Sequence, residues 1–245
     1  MAAKKELAVP EVGDFLVFGN HIDLETLVRQ NLGGQLRPND LERVKVPAAG
    51  GVAWQVPSLD GYETSGEIDG IVLYAHNSRA YWKTRTPTKG TPPDCTSENM
   101  TVGVGSPGGL CEKCSYNQWA SDLRSDGKLG RGKACRERVT LYVLRRGALI
   151  PIIVTLPVTS IREWRNYAVR LTRAGLSSWS VVTRITLDQK SNRDGQEYSE
   201  ARFQRVGELT LEQRDKVQVL SALSEAGHRA QPPEPVAEES VGAVE

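Results

Sequence analysis

The chain has 245 residues, enough for one large domain or two small ones; 39% apolar and 25% charged residues suit a globular chain with a buried core. No run of eighteen apolar residues occurs, so a membrane-spanning helix is excluded. The net charge of +1 hides an asymmetry: residues 79–146 carry thirteen Lys or Arg against six Asp or Glu, a net of +7, while residues 231–245 carry four Glu and no base, a net of −4. A basic middle and an acidic end point to a polyanionic partner, with a solvated charged face and an ordinary tail as the plain alternative.

In chain order, residues 1–20 read as an N-terminal segment outside the fold. Residues 22–32 predict a short helix, capped by Asp23 and ended by Gly33-Gly34. Strand pieces surround Gly50-Gly51, carrying Val44 and Val46 on one side and Val52, Trp54 and Val56 on the other. Residues 58–62 read as a turn and residues 67–74 as a strand. Residues 90–138 read as a glycine-rich loop insertion. Residues 138–144 and 149–156 then predict a β-hairpin, the second strand buried on both sides.

The pattern Ser160-x-x-Glu163 predicts a capping box, with Gly175 as the left-handed end of a helix over 160–174. Ile161, Trp164, Ala168 and Leu171 would form its apolar stripe, opposite Arg162, Arg165 and Arg173. Strands over 179–187 and 198–206 follow, joined by a turn at 192–195. A last helix is predicted from the Thr210-x-x-Gln213 capping box to about Ala226, stopped by Gly227. Residues 228–245 read as a disordered acidic tail. The expected fold is mainly β (β + α) over residues 21–227: an OB-fold-like β-barrel with a helix between late strands and a C-terminal helix.

All four cysteines fall inside the insertion. Cys111 and Cys114 form a C-x-x-C knuckle; Cys95 stands fifteen intervening residues upstream and Cys135 twenty downstream. One knuckle places two thiolates on one turn, and two distant thiolates complete the tetrahedral shell of a structural zinc ion. The expected cofactor is one Zn2+ per chain, stapling the insertion. Other readings stand beside it: two disulfides, unrelated buried thiols, or a redox C-x-x-C pair. No secretory signal pattern is read at the start of the sequence, so a reducing, cytoplasmic setting is expected.

Enzyme motifs are absent from the sequence. There is no G-x-x-x-x-G-K-[ST], no H-E-x-x-H and no G-x-S-x-G. A zinc deaminase needs a Glu two residues after its first ligand and a Pro before the knuckle; Leu110 precedes Cys111, and neither His76 nor Cys95 has the Glu. Four thiolates would close the shell and leave no place for an activated water. A non-catalytic binding protein is expected.

Single strands are held by positive charge along the backbone and by aromatic rings under the bases. Trp54, Tyr81, Trp82, Tyr116 and Trp119 are the candidate platforms. Arg79, Lys83, Arg85, Lys89, Arg124, Lys128, Arg131, Lys133 and Arg136 are the candidate phosphate contacts. For Trp54 a place in the core is the stronger reading, and Trp119 could cover the zinc site.

Five short stretches occur in order: Arg79-Ala80-Tyr81-Trp82, Pro93-Asp94-Cys95, Gly108-Gly109-Leu110-Cys111-x-x-Cys114, Gly132-Lys133-Ala134-Cys135 and Leu156-Pro157-Val158-Thr159-Ser160. Over residues 66–203 the chain resembles the zinc-containing single-stranded DNA-binding proteins of bacteriophages and mobile elements. That resemblance implies an OB-type core, zinc on Cys95, Cys111, Cys114 and Cys135, and coating of single-stranded DNA in replication or recombination. It also implies recruitment of replication or recombination proteins through the acidic tail. The sequence departs from the pattern in ending Ala243-Val244-Glu245, without an Asp-Phe or Pro-Phe hook. Two other functions fit the residues: a zinc-ribbon regulator reading duplex DNA through the arginine face of the helix over 160–174, and a scaffold module of a replication complex.

Overall fold

The computed structural model describes residues 23–37, 40–84, 91–123, 127–192 and 195–229. The expected segment 1–20 and most of the tail, residues 230–245, lie outside them. The fold is mainly β, with eleven strands and three α-helices among the described residues. Helix α1 (Leu24–Leu32) begins where the Asp23 carboxylate accepts from the Thr26 N–H and ends at Gly33 with φ of 69°. It buries no residue, so its stability is local.

The sheet is built on β4 (Glu67–Tyr81). Its start pairs antiparallel with β10 (Val181–Ser191), its middle with β8 (Arg136–Arg145) and its end with β5 (Cys95–Ser97). β8 continues to β9 (Ile152–Leu156), and β9 takes β1 (Arg43–Lys45) in parallel. β10 pairs with β11 (Glu197–Glu208). β6 (Val102–Gly105) and β7 (Gly109–Leu110) extend the sheet beyond β5. β2 (Trp54–Ser58) and β3 (Gly61–Ser65) form a separate hairpin.

Two expectations need correction. No closed barrel forms among the described residues: β11 pairs with β10 alone, and the outer edge of β9 is taken by β1 instead. The insertion is also more than loop, since β5, β6 and β7 continue the main sheet. Their hydrophobic alternation is too short to register against so many glycines.

The sheet separates two cores. On one face Val139, Leu141 and Val143 of β8 pack with Trp54, Ile185, Phe203 and the buried side of α2 (Val158–Arg173). On the other, Tyr142 and Leu144 pack with Leu73, Val182 and Val217, the last from α3 (Leu211–Arg229). The period of two puts alternate β8 residues into opposite cores. A register shift between Val72 and Tyr74 sets Tyr74 opposite Tyr142 and His76 opposite Thr140. Tyr74, His76 and the Tyr142 side of β8 therefore share the α3 face.

The helix starts also differ in detail. Thr210 and Gln213 form the predicted capping box: the Thr210 N–H donates to the Gln213 side chain at 2.9 Å and the Gln213 N–H to the Thr210 hydroxyl at 3.3 Å. Ser160 does not cap. α2 begins two residues earlier, after Pro157, and the fully buried Ser160 hydroxyl accepts from the Ala201 N–H at 2.9 Å. Glu163 is likewise drawn off, pairing with Arg202 at 2.8 Å. Tyr167, rather than Ala168, completes the buried stripe and shares a 2.8 Å hydrogen bond with Thr183. Arg162, Arg165 and Arg173 are exposed, as the pattern predicts. α3 runs two residues past Gly227, which places His228 on the helix rather than in the tail.

Ser160→Ala should lower stability by about 1–3 kcal/mol, because it strands a buried N–H without a partner. Exposed Thr159→Ala, one residue away, should stay within about 0.5 kcal/mol. Urea unfolding with unchanged slope checks both, and an equal loss at both positions would contradict the assignment.

Candidate functional site

The four cysteines line one cavity together with Arg79, Tyr81 and Asn117. Each reaches it by a different backbone device. Cys95 opens β5, where it pairs with Tyr81 on one side and Gly105 on the other. β6 can lie this close only through its glycines. A Cβ on Gly103 would stand 2.9 Å from the Cys95 sulfur, and one on Gly105, whose φ is +107°, 2.2 Å from the Asp94 carbonyl oxygen. Cys111 and Cys114 sit on one turn, in which the Cys114 N–H donates to the Cys111 carbonyl at 3.4 Å. The Cys111 N–H ties that turn to the Thr101 carbonyl at 2.8 Å. Cys135 immediately precedes β8, and its N–H donates to the Tyr116 carbonyl at 2.8 Å.

All four are free thiols, so the disulfide reading is not realised. Their sulfurs do not form a ligating cluster as they stand. Among the described residues, the group of three or more His, Cys, Asp or Glu whose ligand atoms all lie within 4.8 Å of one another is His76, Glu98 and His228. Burial pushes the Cys135 thiol up to about 11, the other three cysteines add to that, and Arg79 opposes it.

Arg79 and Asn117 organise the cavity wall. Arg79 donates to the Asn117 side-chain oxygen at 2.5 Å and to Glu137 at 2.8 Å, leaving its buried Nε–H without a partner. Asn117 in turn donates to the Cys111 carbonyl at 2.7 Å and accepts from Lys133 at 3.2 Å. Tyr81 stacks on Tyr116 with ring centroids 4.1 Å apart.

The other predicted contact residues scatter. Trp54 is fully buried, with its indole N–H donating to the Ile185 carbonyl at 3.2 Å. It belongs to the core and offers no platform. Tyr81 is buried against Tyr116 and is equally unavailable to a base. Tyr116 and Trp82 are half-buried; the Trp82 indole donates to the Thr91 carbonyl at 3.2 Å. The Arg138 guanidinium lies over the Trp82 ring at 4.7 Å. Trp119 is 76% exposed, and the Lys133 ammonium lies 5.3 Å from its ring centre. Lys83 and Arg131 are exposed, Arg136 is half-buried, and Arg79 is committed to Asn117 and Glu137. Arg85, Lys89 and Arg124 lie outside the described residues.

Arg138, which falls inside the predicted strand, is not among the candidate phosphate contacts. Arg136 sits opposite Ala80 and Arg138 opposite Ser78, so both share the face of β4 that carries Ala80 and Ser78. Asn117 and the His76–Glu98–His228 group carried no spacing signal, since their members come together only in the folded chain.

No helix among the described residues is long and apolar enough to cross a membrane. No protein-family model, curated protein or solved structure matches the chain significantly.

Proposed function

We propose that the chain is a sequence-tolerant single-stranded DNA-binding protein whose cysteine insertion is folded around one structural zinc ion. The observation that carries this reading is the pairing of two tryptophan rings with cations: exposed Trp119 with Lys133, and Trp82 with Arg138. A ring beside a fixed positive charge offers a base a stacking face and its phosphate a counter-charge, with no base edge being read. The +7 balance of residues 79–146 supplies the long-range attraction.

The core suits this role. An OB-type core is a five-stranded, partly open Greek-key barrel. The meander β4–β8–β9, then α2, then the hairpin β10–β11 with β10 returning to β4, follow the order such a core uses, without a pairing of β11 to β9 that would close it. The family resemblance over residues 66–203 supports the same reading, with a role in phage or mobile-element replication or recombination.

Zinc fits the donor set: four thiols, two of them on one turn, share a cavity with a buried, partnerless Arg79 Nε–H. A tetrahedral site with Zn–S bonds of about 2.3 Å needs sulfurs about 3.8 Å apart, so the four thiols would have to draw together around the ion. Cys95, Cys111, Cys114 and Cys135 would hold the ion, and the Arg79 Nε–H would donate to the resulting thiolate charge. The ion would supply folding energy and no chemistry. The exposed arginine face of α2 also favours a second reading, a duplex-reading regulator.

Labelled mixed-sequence oligonucleotides in fluorescence anisotropy separate these. The single strand should bind well above its duplex, weaken with salt, and show similar affinity for unrelated sequences. Trp119→Ala and Trp82→Ala should each cost about 1–3 kcal/mol, roughly 5- to 150-fold. Arg131→Ala should reduce the salt slope by about 0.7. Preference for one duplex sequence would establish the regulator, and absence of binding in a folded, metal-loaded sample would leave the scaffold role.

Removing zinc with a strong chelator should lower Tm and single-strand affinity together, because the insertion that carries Trp119 loses its staple. Cobalt substitution should give intense thiolate charge-transfer absorption, reduced in Cys114→Ser. Cobalt-loaded protein lacking that absorption would exclude the cysteine site.

A further inference from the structure

We infer that His76, Glu98 and His228 form a second metal site, for a divalent transition ion of the zinc class, that fastens the end of α3 to β4 and to the turn after β5. Nothing in this site depends on the cysteine cavity. Three separate elements bring the ligands together: His76 lies in β4, Glu98 just after β5, and His228 one residue before the end of α3.

Both imidazoles aim the same nitrogen at the same oxygen. The Glu98 Oε2 stands 2.7 Å from the His76 Nε2 and 3.7 Å from the His228 Nε2. All three ligand atoms lie within 4.8 Å of one another. A tetrahedral ion with bonds of about 2.0–2.1 Å sets neighbouring ligand atoms about 3.3 Å apart. The two separations from the Glu98 oxygen, 2.7 and 3.7 Å, straddle that value. The imidazole centroids are 3.8 Å apart, their planes inclined at 46°.

The far side of each ring is also fixed. The Tyr74 hydroxyl lies 3.4 Å from the His76 Nδ1, and the Tyr142 hydroxyl 2.9 Å from the His228 Nδ1. A hydroxyl oxygen accepting from Nδ1–H leaves the Nε2 lone pair free for a metal, which is the usual way a ligating histidine is oriented. Two imidazoles converging on one oxygen, each backed by a tyrosine, describe a coordination sphere.

Access and chemistry agree with this. The imidazoles are 11% and 16% exposed while the Glu98 side chain is 48% exposed, so an ion can enter from the carboxylate side. Two imidazoles and a carboxylate are a borderline donor set suited to zinc, with the fourth position left to water. The ion would hold the last turn of α3 to a turn three residues beyond Cys95. It would thus join the C-terminal helix to the cysteine insertion.

The test measures metal content of the full chain without a polyhistidine tag. Wild type is compared with Glu98→Gln and His228→Gln after zinc loading and removal of free ion. Circular dichroism checks folding, and cobalt–thiolate absorption reports the cysteines separately. Glu98 lies on a half-exposed turn, so its variant keeps the fold even if His228→Gln loosens α3. The expected result is one equivalent fewer in each variant with the thiolate absorption, where wild type shows it, unchanged. Zinc should also slow amide exchange in residues 220–229 at least tenfold in wild type and not in Glu98→Gln. Equal metal content in wild type and Glu98→Gln overturns the site, as does a lost equivalent that takes the thiolate absorption with it. If the cysteines hold no metal, the difference between wild type and Glu98→Gln still decides.

Discussion

β4 has the hydrogen-bonding groups of fifteen consecutive residues to satisfy, and three strands share them: β8 pairs with it from Gly70 to Ala80, while β10 and β5 take its two ends. That sharing makes one strand the common edge of the α2 core, the α3 core and the cysteine insertion. It also explains why the insertion can be long without leaving the domain. The excursion returns to β4 at Cys95 and rejoins β8 at Arg136, so both its ends are hydrogen-bonded to the same strand. Loop closure, the main entropic cost of a long excursion, is largely met by those two ladders. What they leave open is the stretch between, which carries the Cys111–Cys114 turn.

The alternation of β4 then assigns chemistry to faces. Arg79 and Tyr81 point to the cysteine cavity. His76, Ser78 and Ala80 lie on the opposite side, the last two across from Arg138 and Arg136. Arg79 is held by Glu137 and Asn117 and has little charge to spare for a phosphate. The Arg138 guanidinium lies over the Trp82 ring, which covers one of its faces. Two arginines close in register on neighbouring strands thus face opposite sides of the sheet, decided by a period of two.

Much of the architecture was legible in the sequence. The β-hairpin, the helix before the last hairpin, the Asp23 and Thr210 caps and the left-handed Gly175 follow from local chemistry, and local chemistry is what a sequence displays. The failures share one cause. Ser160 has the spacing of a capping residue, yet a buried N–H 41 residues away has the stronger claim on its hydroxyl. β5 to β7 carry too few apolar residues to register as strands and exist because β4 has an edge to complete. In each case a partner distant in sequence sets the outcome. The four cysteines stand between these cases: spacing brought them to notice and the fold brings them to one cavity.

α3 shows the same competition at the level of energy. Glycine inside a helix costs about 1 kcal/mol relative to alanine, and on propensity alone Gly227 should end it. The helix continues because His228 gains the Tyr142 hydroxyl, the Glu98 carboxylate and the ring of His76, contacts together worth more than that cost. The consequence is positional. The chain leaves α3 above His76, on the face of the sheet that continues through Ser78 and Ala80 toward Arg136 and Arg138.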